Sequence, residues 1–142
     1  KALFASDLHW SNRLPQAVPT TNGKTDRLQD QERMWEHMAA TVKNDPTIEA
    51  AFFLGDVFDK ALVDPVTMTA AAKAMSLFDV PVYILPGNHD SNSTKGGRFI
   101  TEAFGAMGKK NLCSLTEDSF IVKYGCFRFE CMPYSTKEKA EF

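Results

Sequence analysis

Three stretches of the chain run apolar and then stop on a polar cluster. Leu3-Phe4-Ala5 leads into Ser6-Asp7 and His9. Ala51-Phe52-Phe53-Leu54 leads into Gly55-Asp56 and Asp59, and Val80-Pro81-Val82-Tyr83-Ile84-Leu85 leads into Gly87-Asn88-His89-Asp90. A short, continuous apolar run marks a strand buried on both faces, the environment of a parallel sheet. Helical patterns lie between the runs. Leu28, Met34, Trp35, Met38 and Val42 share one face of a segment that begins near Asp26 and stops at Asn44-Asp45-Pro46; Asp26 and Gln29 read as an Asp-x-x-Gln capping box. Asp64-Pro65 opens an Ala-rich helix to Phe78. A third helix is expected from Arg98 to Met107, burying Phe99, Ile100, Ala103 and Phe104 and closed by Gly108. Leu112 to Leu115 reads as a strand, and Phe120 to Tyr124 with Cys126 to Met132 reads as a hairpin turning at Tyr124-Gly125. This order predicts an α/β fold with a parallel sheet and helices on its faces, in one unit without an interdomain linker.

In open α/β sheets ligands bind beyond the carboxyl ends of the strands, so the three polar clusters are expected on one edge. Asp7 and His9, two residues apart, can both point at one centre from a strand end. Each cluster alone is ordinary, since Gly, Asp and Asn populate turns. Their joint occurrence, each at a strand end, points to a shared metal site. Carboxylate, imidazole and amide oxygen form a hard-to-borderline ligand set suited to Mn²⁺, Fe or Zn²⁺.

Composition narrows the classes further. With 142 residues, 44% of them hydrophobic and 24% charged, the chain has the balance of a soluble domain. It has no apolar run of about eighteen residues that could span a bilayer, and its start lacks a signal-peptide stretch, so no membrane association and a cytoplasmic location are expected. Cys113, Cys126 and Cys131 form neither a disulfide framework nor a paired Cys-x-x-Cys site and read as small residues in or near strands. A formal net charge of -2 argues against a protein that wraps nucleic acid with a basic face. It leaves open an enzyme acting on phosphates, because bound cations can supply positive charge.

The three clusters resemble the first three motifs of the calcineurin-like metallophosphoesterases. The resemblance implies a double-sheet fold flanked by helices and a centre of two divalent ions, Mn²⁺ first, with Fe or Zn²⁺ as alternatives. It implies that Asp7 and His9 hold the first ion, Asp56 bridges both and Asn88 holds the second. His89 would be the proton donor or transition-state stabiliser, oriented by Asp90, with Asp59 behind the ligands. Two cations about 3.5–4 Å apart can activate a water and clamp the phosphoryl oxygens of an in-line displacement. A narrower similarity, to SbcD-type DNA repair nuclease subunits, is carried by Asp26-Arg-Leu-Gln-Asp-Gln31, Gly55-Asp-Val-Phe-Asp59, the run from Val80 to Asp90, and Met132-Pro133-Tyr134. It implies hydrolysis of DNA phosphodiesters in double-strand-break repair, and leaves open a coiled-coil ATPase partner and a homodimer of the full-length protein. The alternatives are a phosphatase acting on a phosphoprotein, nucleotide or small phosphoester, and a noncatalytic relative that keeps the fold as an interaction domain.

The family completes its site with a further histidine and a Gly-His-x-His motif, whereas here no histidine follows His89. His37, on the first helix between Glu36 and Met38, reads as a helix surface residue. Residues 1–142 are therefore expected to be the N-terminal portion of a longer metallophosphoesterase domain, inactive by itself, with a degenerate member as the other reading. Secondary features stay open between two readings each. Lys95-Gly96-Gly97-Arg98 reads as a phosphate contact or a solvated loop. Trp10 reads as a base-stacking residue at the site mouth or as packing under the aperiodic Trp10–Thr25 loop. Lys109, Lys110, Lys137 and Lys139 read as surface charge.

Overall fold

The computed structural model describes residues 1–91, 98–116, 120–124 and 127–131. Its principal sheet has four parallel strands in chain order, β1 (Ala2–Ala5), β2 (Ala50–Leu54), β3 (Val82–Leu85) and β4 (Leu112–Ser114). Register runs Phe4 to Phe52, Phe52 to Tyr83 and Tyr83 to Cys113. The crossovers contain α1 (Asp26–Asn44), α2 (Pro65–Ser76) and α3 (Glu102–Ala106). A parallel sheet laid down in chain order, with crossovers of one hand, delivers every helix to the same face. The core follows this rule: Leu28, Trp35 and Val42 of α1, Ala70, Ala71 and Ala74 of α2, and Phe104 of α3 join one cluster with Ala51, Phe53, Val82 and Ile84. Trp35 anchors it, with ring centroids 4.4 Å from Phe53 and 5.9 Å from Phe78.

The opposite face of the sheet carries the alternate residues of the same strands. Ala50 and Phe52 form a second cluster with Val122 and Cys131 of an antiparallel hairpin, β5 (Phe120–Tyr124) and β6 (Phe127–Cys131). The Phe52 ring centre lies 5.0 Å from those of Phe4, Tyr83 and Phe129. Helices on one side and a second sheet on the other give the layered α/β arrangement expected from the sequence. The expected β-strand end at Met132-Pro133-Tyr134, the Gly125 turn, Cys126, Lys95 to Gly97, Lys137 and Lys139 lie outside the described residues.

Four local expectations are corrected, and the two readings of Trp10 are narrowed to one. Helix α1 is capped by Thr25, whose hydroxyl accepts from the Leu28 N–H, because the Asp26 carboxylate is occupied by the N–H groups of Val18 and Arg27. Those bonds, the Val18 one foremost, hold the Asp26 carboxyl below its ordinary pKa. Met34 is exposed and Ala39 takes its place on the buried face. Helix α3 is shorter than expected, since the Ile100 N–H donates to the Asp90 carbonyl at 2.9 Å and Ser91 bridges to Phe99, drawing that segment onto the third strand-end loop; Ala103 is exposed. Trp10 is 1% exposed and meets Trp35 edge-on at 5.6 Å, which removes it as a stacking platform and leaves the packing alternative. Lys109 is also more than surface charge: its ammonium donates to the Ser76 and Phe78 carbonyls past the end of α2.

Candidate metal centre

The loops leaving β1, β2 and β3 are laced together at the carboxyl edge of the sheet. Main-chain N–H groups of Asp7, His9 and Trp10 donate to the carbonyls of Gly55, Asp56 and Val57 at 3.2, 3.0 and 2.8 Å, and Gly55 N–H donates to Leu85 at 3.1 Å. The first two loops thus extend the ladder past the strands. Within this ladder Asp7, His9 and Asp56 adopt positive φ of 55°, 47° and 50°. Non-glycine residues reach that region at a steric cost, which the surrounding hydrogen bonds offset, and such strain clusters at functional sites.

The result is convergence. Asp7, His9 and Asp56 each offer a ligand atom within 4.8 Å of the others, and so do His9, Asp59 and His89. A cation with bonds of about 2.0–2.2 Å keeps its own ligand atoms roughly 3–4 Å apart, so either set can gather round an ion with small side-chain motions. His9 belongs to both. Its Nε2 lies 4.0 Å from Asp7 Oδ1 and its Nδ1 4.0 Å from Asp59 Oδ1. Among the described residues that Nδ1 is buried without a hydrogen-bond partner. The donor set of carboxylates and imidazole suits Mn²⁺, Fe or Zn²⁺.

The third loop is pressed against the second. Gly87 sits so close to Asp56 that a Cβ on it would stand 2.1 Å from Asp56 Oδ1, and a Cβ on Gly55, at φ 89°, would stand 3.3 Å from the Gly87 Cα. Only two glycines permit this approach. The same Asp56 Oδ1 accepts the His89 N–H at 3.0 Å, and Asn88, exposed, lies beside it in the chain. Asp56 therefore joins the second and third loops while facing the first.

Asp90 behaves differently from the expectation that it orients His89. Its carboxylate is fully buried and accepts N–H bonds from Gly87 at 2.8 Å, Val57 at 3.2 Å and Phe58 at 2.9 Å. Burial pushes its pKa up, opposed by those three donors. The His89 ring is instead held by Asp59, whose main-chain carbonyl lies 2.7 Å from Nδ1. That bond, with the negative charges of Asp56, Asp59 and Asp90 and against a smaller effect of burial, raises the His89 pKa above the ordinary imidazole value. Asp59 thus comes forward from behind the ligands, with its carboxylate toward His9 and its carbonyl on His89.

One positioning residue was missed. Gln31 of α1 donates to the carbonyls of Leu8 at 3.3 Å and His9 at 2.8 Å, and accepts the Ser11 N–H at 3.2 Å. Its signal was a polar residue between Leu28 and Trp35 on the apolar face of the helix. His37 is exposed on α1 and belongs to neither ligand group.

No curated protein matches the chain. Residues 1–140 match the model of the family described as calcineurin-like phosphoesterase, a class of metal-dependent hydrolases, and the chain belongs to that family.

Proposed function

We propose that the chain contributes the first half of a two-cation centre that hydrolyses phosphodiester bonds in DNA, in the manner of SbcD-type nuclease subunits. The observation that carries the reading is the meeting of Asp7, His9 and Asp56 within 4.8 Å of one another, with His89 joined to Asp56 through its main chain. In this reading Asp7 and His9 would hold one ion, Asp56 would serve both and Asn88 would serve the second, with histidines downstream of residue 142 completing it. The ions, Mn²⁺ first, supply Lewis acidity and water activation when bound. Asp7 and Asp56 would set where the ions sit, and the ions in turn would draw the phosphate. A carbonyl accepts only, so the Asp59 bond requires a proton on His89 Nδ1 and leaves Nε2 as the ring nitrogen that could exchange a proton with a substrate. In this reading His89 delivers a proton to the departing oxygen. Asp90 acts through the loop backbones it braces. DNA is the proposed substrate on the motif similarities from Asp26 to Gln31 and from Val80 to Asp90, and a coiled-coil ATPase and a second copy of the chain are the proposed partners.

The test is Mn²⁺-dependent degradation of linear duplex DNA by the full-length protein. His89→Ala should lower it by about 10²–10⁴-fold, the usual worth of a general acid, while calorimetry finds Mn²⁺ binding retained. Unchanged cleavage in that variant removes the role of His89. Ready hydrolysis of phosphomonoesters with no action on DNA makes the protein a phosphatase. Residues 1–142 alone should bind Mn²⁺ weakly and turn over little, and two tight sites there would overturn the need for downstream ligands.

A further inference from the structure

Next to the metal cluster lies a cavity of about 380 Å³, within the size range of small-ligand sites. Its walls are the continuations of the first two strand-end loops. Buried Trp10 and Thr67 form the inner lining, and exposed Arg13, Lys60 and Leu62 the outer. Asp59 lines the cavity and also belongs to the His9, Asp59, His89 group, so cavity and metal cluster are continuous. Each cation follows four residues after a proposed ligand, Arg13 after His9 and Lys60 after Asp56.

Two cations and two carboxylates line the cavity, and the carboxylates are set apart from a ligand in different ways: Asp64 is held by hydrogen bonds and Asp59 lies on the metal-cluster side. Asp64 Oδ1 accepts the N–H groups of Val66 and Thr67, its Oδ2 accepts the Thr67 hydroxyl, and Asp59 faces His9. The charge of Arg13 reaches Asp64 and helps hold its carboxyl low, yet among the described residues no ion pair within 4.0 Å ties down Arg13 or Lys60. Beside these cations Leu62 is 95% exposed, an apolar side chain at the mouth of a polar cavity. Two unpaired cations with an adjacent apolar contact match one nucleotide, with the phosphate on the cations and the face of the base on the leucine.

We infer that this cavity holds the nucleotide adjoining the scissile phosphate, with Arg13 and Lys60 on its phosphate and Leu62 against its base. The inference rests on the nuclease reading above and makes these three side chains specificity-determining residues.

It is tested without metal by an ¹⁵N-amide NMR titration with the dinucleotide dTpdT, with inorganic phosphate and a phosphoserine peptide titrated in parallel. Ser11, Lys60 and Val63 amides should shift with dTpdT. Arg13→Gln and Lys60→Gln should each weaken binding about five- to tenfold and lower the salt slope by about 1, as for a lost phosphate contact. Leu62→Ser should weaken dTpdT binding and leave that of inorganic phosphate unchanged. Shifts confined to other surfaces, unchanged affinity in both cation variants, or tighter binding of the peptide than of dTpdT overturns the assignment. DNA cleavage by the Mn²⁺-loaded full-length protein with the same KM in both variants overturns the cavity alone. Dinucleotide binding here without any DNA cleavage by that protein overturns the nuclease reading alone.

Discussion

His89 Nδ1 lies 2.7 Å from the main-chain carbonyl oxygen of Asp59, so the ring that stands beside the metal cluster is oriented by backbone and not by a carboxylate. In the metal-free protein His89 should therefore titrate above the ordinary imidazole value of about 6.5. A folded pKa above the unfolded one means that protonated His89 favours the fold. That contribution is complete below the unfolded pKa and is lost as pH rises through the folded one. Asp59→Asn should lower the His89 pKa only in part, because the carbonyl stays, and two-dimensional NMR of the ring nitrogens reads both effects. A value returning fully to that of free imidazole would assign the shift to the Asp59 carboxylate.

Asp90 ties three N–H groups of two loops to one buried carboxylate. Asp90→Ala leaves all three without a partner and should cost about 3–5 kcal/mol, at the level of a broken buried charged pair. Urea unfolding measures it. Asp90→Asn keeps one acceptor oxygen and should lose less. Equal losses in the two variants would show that the retained acceptor and side-chain volume contribute nothing and that the carboxylate charge carries the effect.

Gly87→Ala should damage metal binding more than a surface alanine substitution can. Its Cβ would meet Asp56 Oδ1 at 2.1 Å and the Asp56 nitrogen at 2.4 Å, so Asp56 must move. We expect overpacking to cost about 1–3 kcal/mol of stability, with a drop in Mn²⁺ affinity by calorimetry. Retained Mn²⁺ affinity would remove Asp56 from the ligand set.

Asp64 caps α2 through the N–H groups of Val66 and Thr67. Burial tends to raise its pKa, but the Thr67 hydroxyl and the two N–H bonds outweigh it, and the net shift is downward. A depressed carboxyl stabilises above the unfolded pKa of about 3.9 and loses its contribution as pH falls through the folded value. Asp64→Ala should cost about 1 kcal/mol at neutral pH, the usual worth of a cap, and the difference from wild type should shrink in acid. A pH-independent difference would mean that packing, not the charged cap, accounts for it.

The first three strands and the sheet end they share were legible because a parallel strand covered from both sides writes itself as an apolar run, a signal kept even by β1, which lies at the edge with Phe4 exposed, and the topology then dictates which end binds. The ligand-capable residues were legible for the same reason, as polar residues at strand ends. What failed depended on partners distant in sequence. Asp26 looked like a cap until Val18 was found on its carboxylate, and Arg98 to Thr101 looked helical until Asp90 was found on Ile100. The tasks of Asp90 and Asp59 are set by main-chain groups of the neighbouring loop, which no side-chain motif encodes. Gln31 had a visible signal, a polar side chain on an apolar stripe, but nothing local says what it holds.

The contact between Gly55 and Gly87 has a consequence for redesign. With no side chains between them, the second and third loops are spaced by the thickness of the peptide chain itself, so there is no padding to trim or thicken. An attempt to change which ion the site prefers has to proceed by exchanging donor groups, since the aperture cannot be retuned by repacking. An insertion in either loop would be expected to dismantle the site rather than widen it.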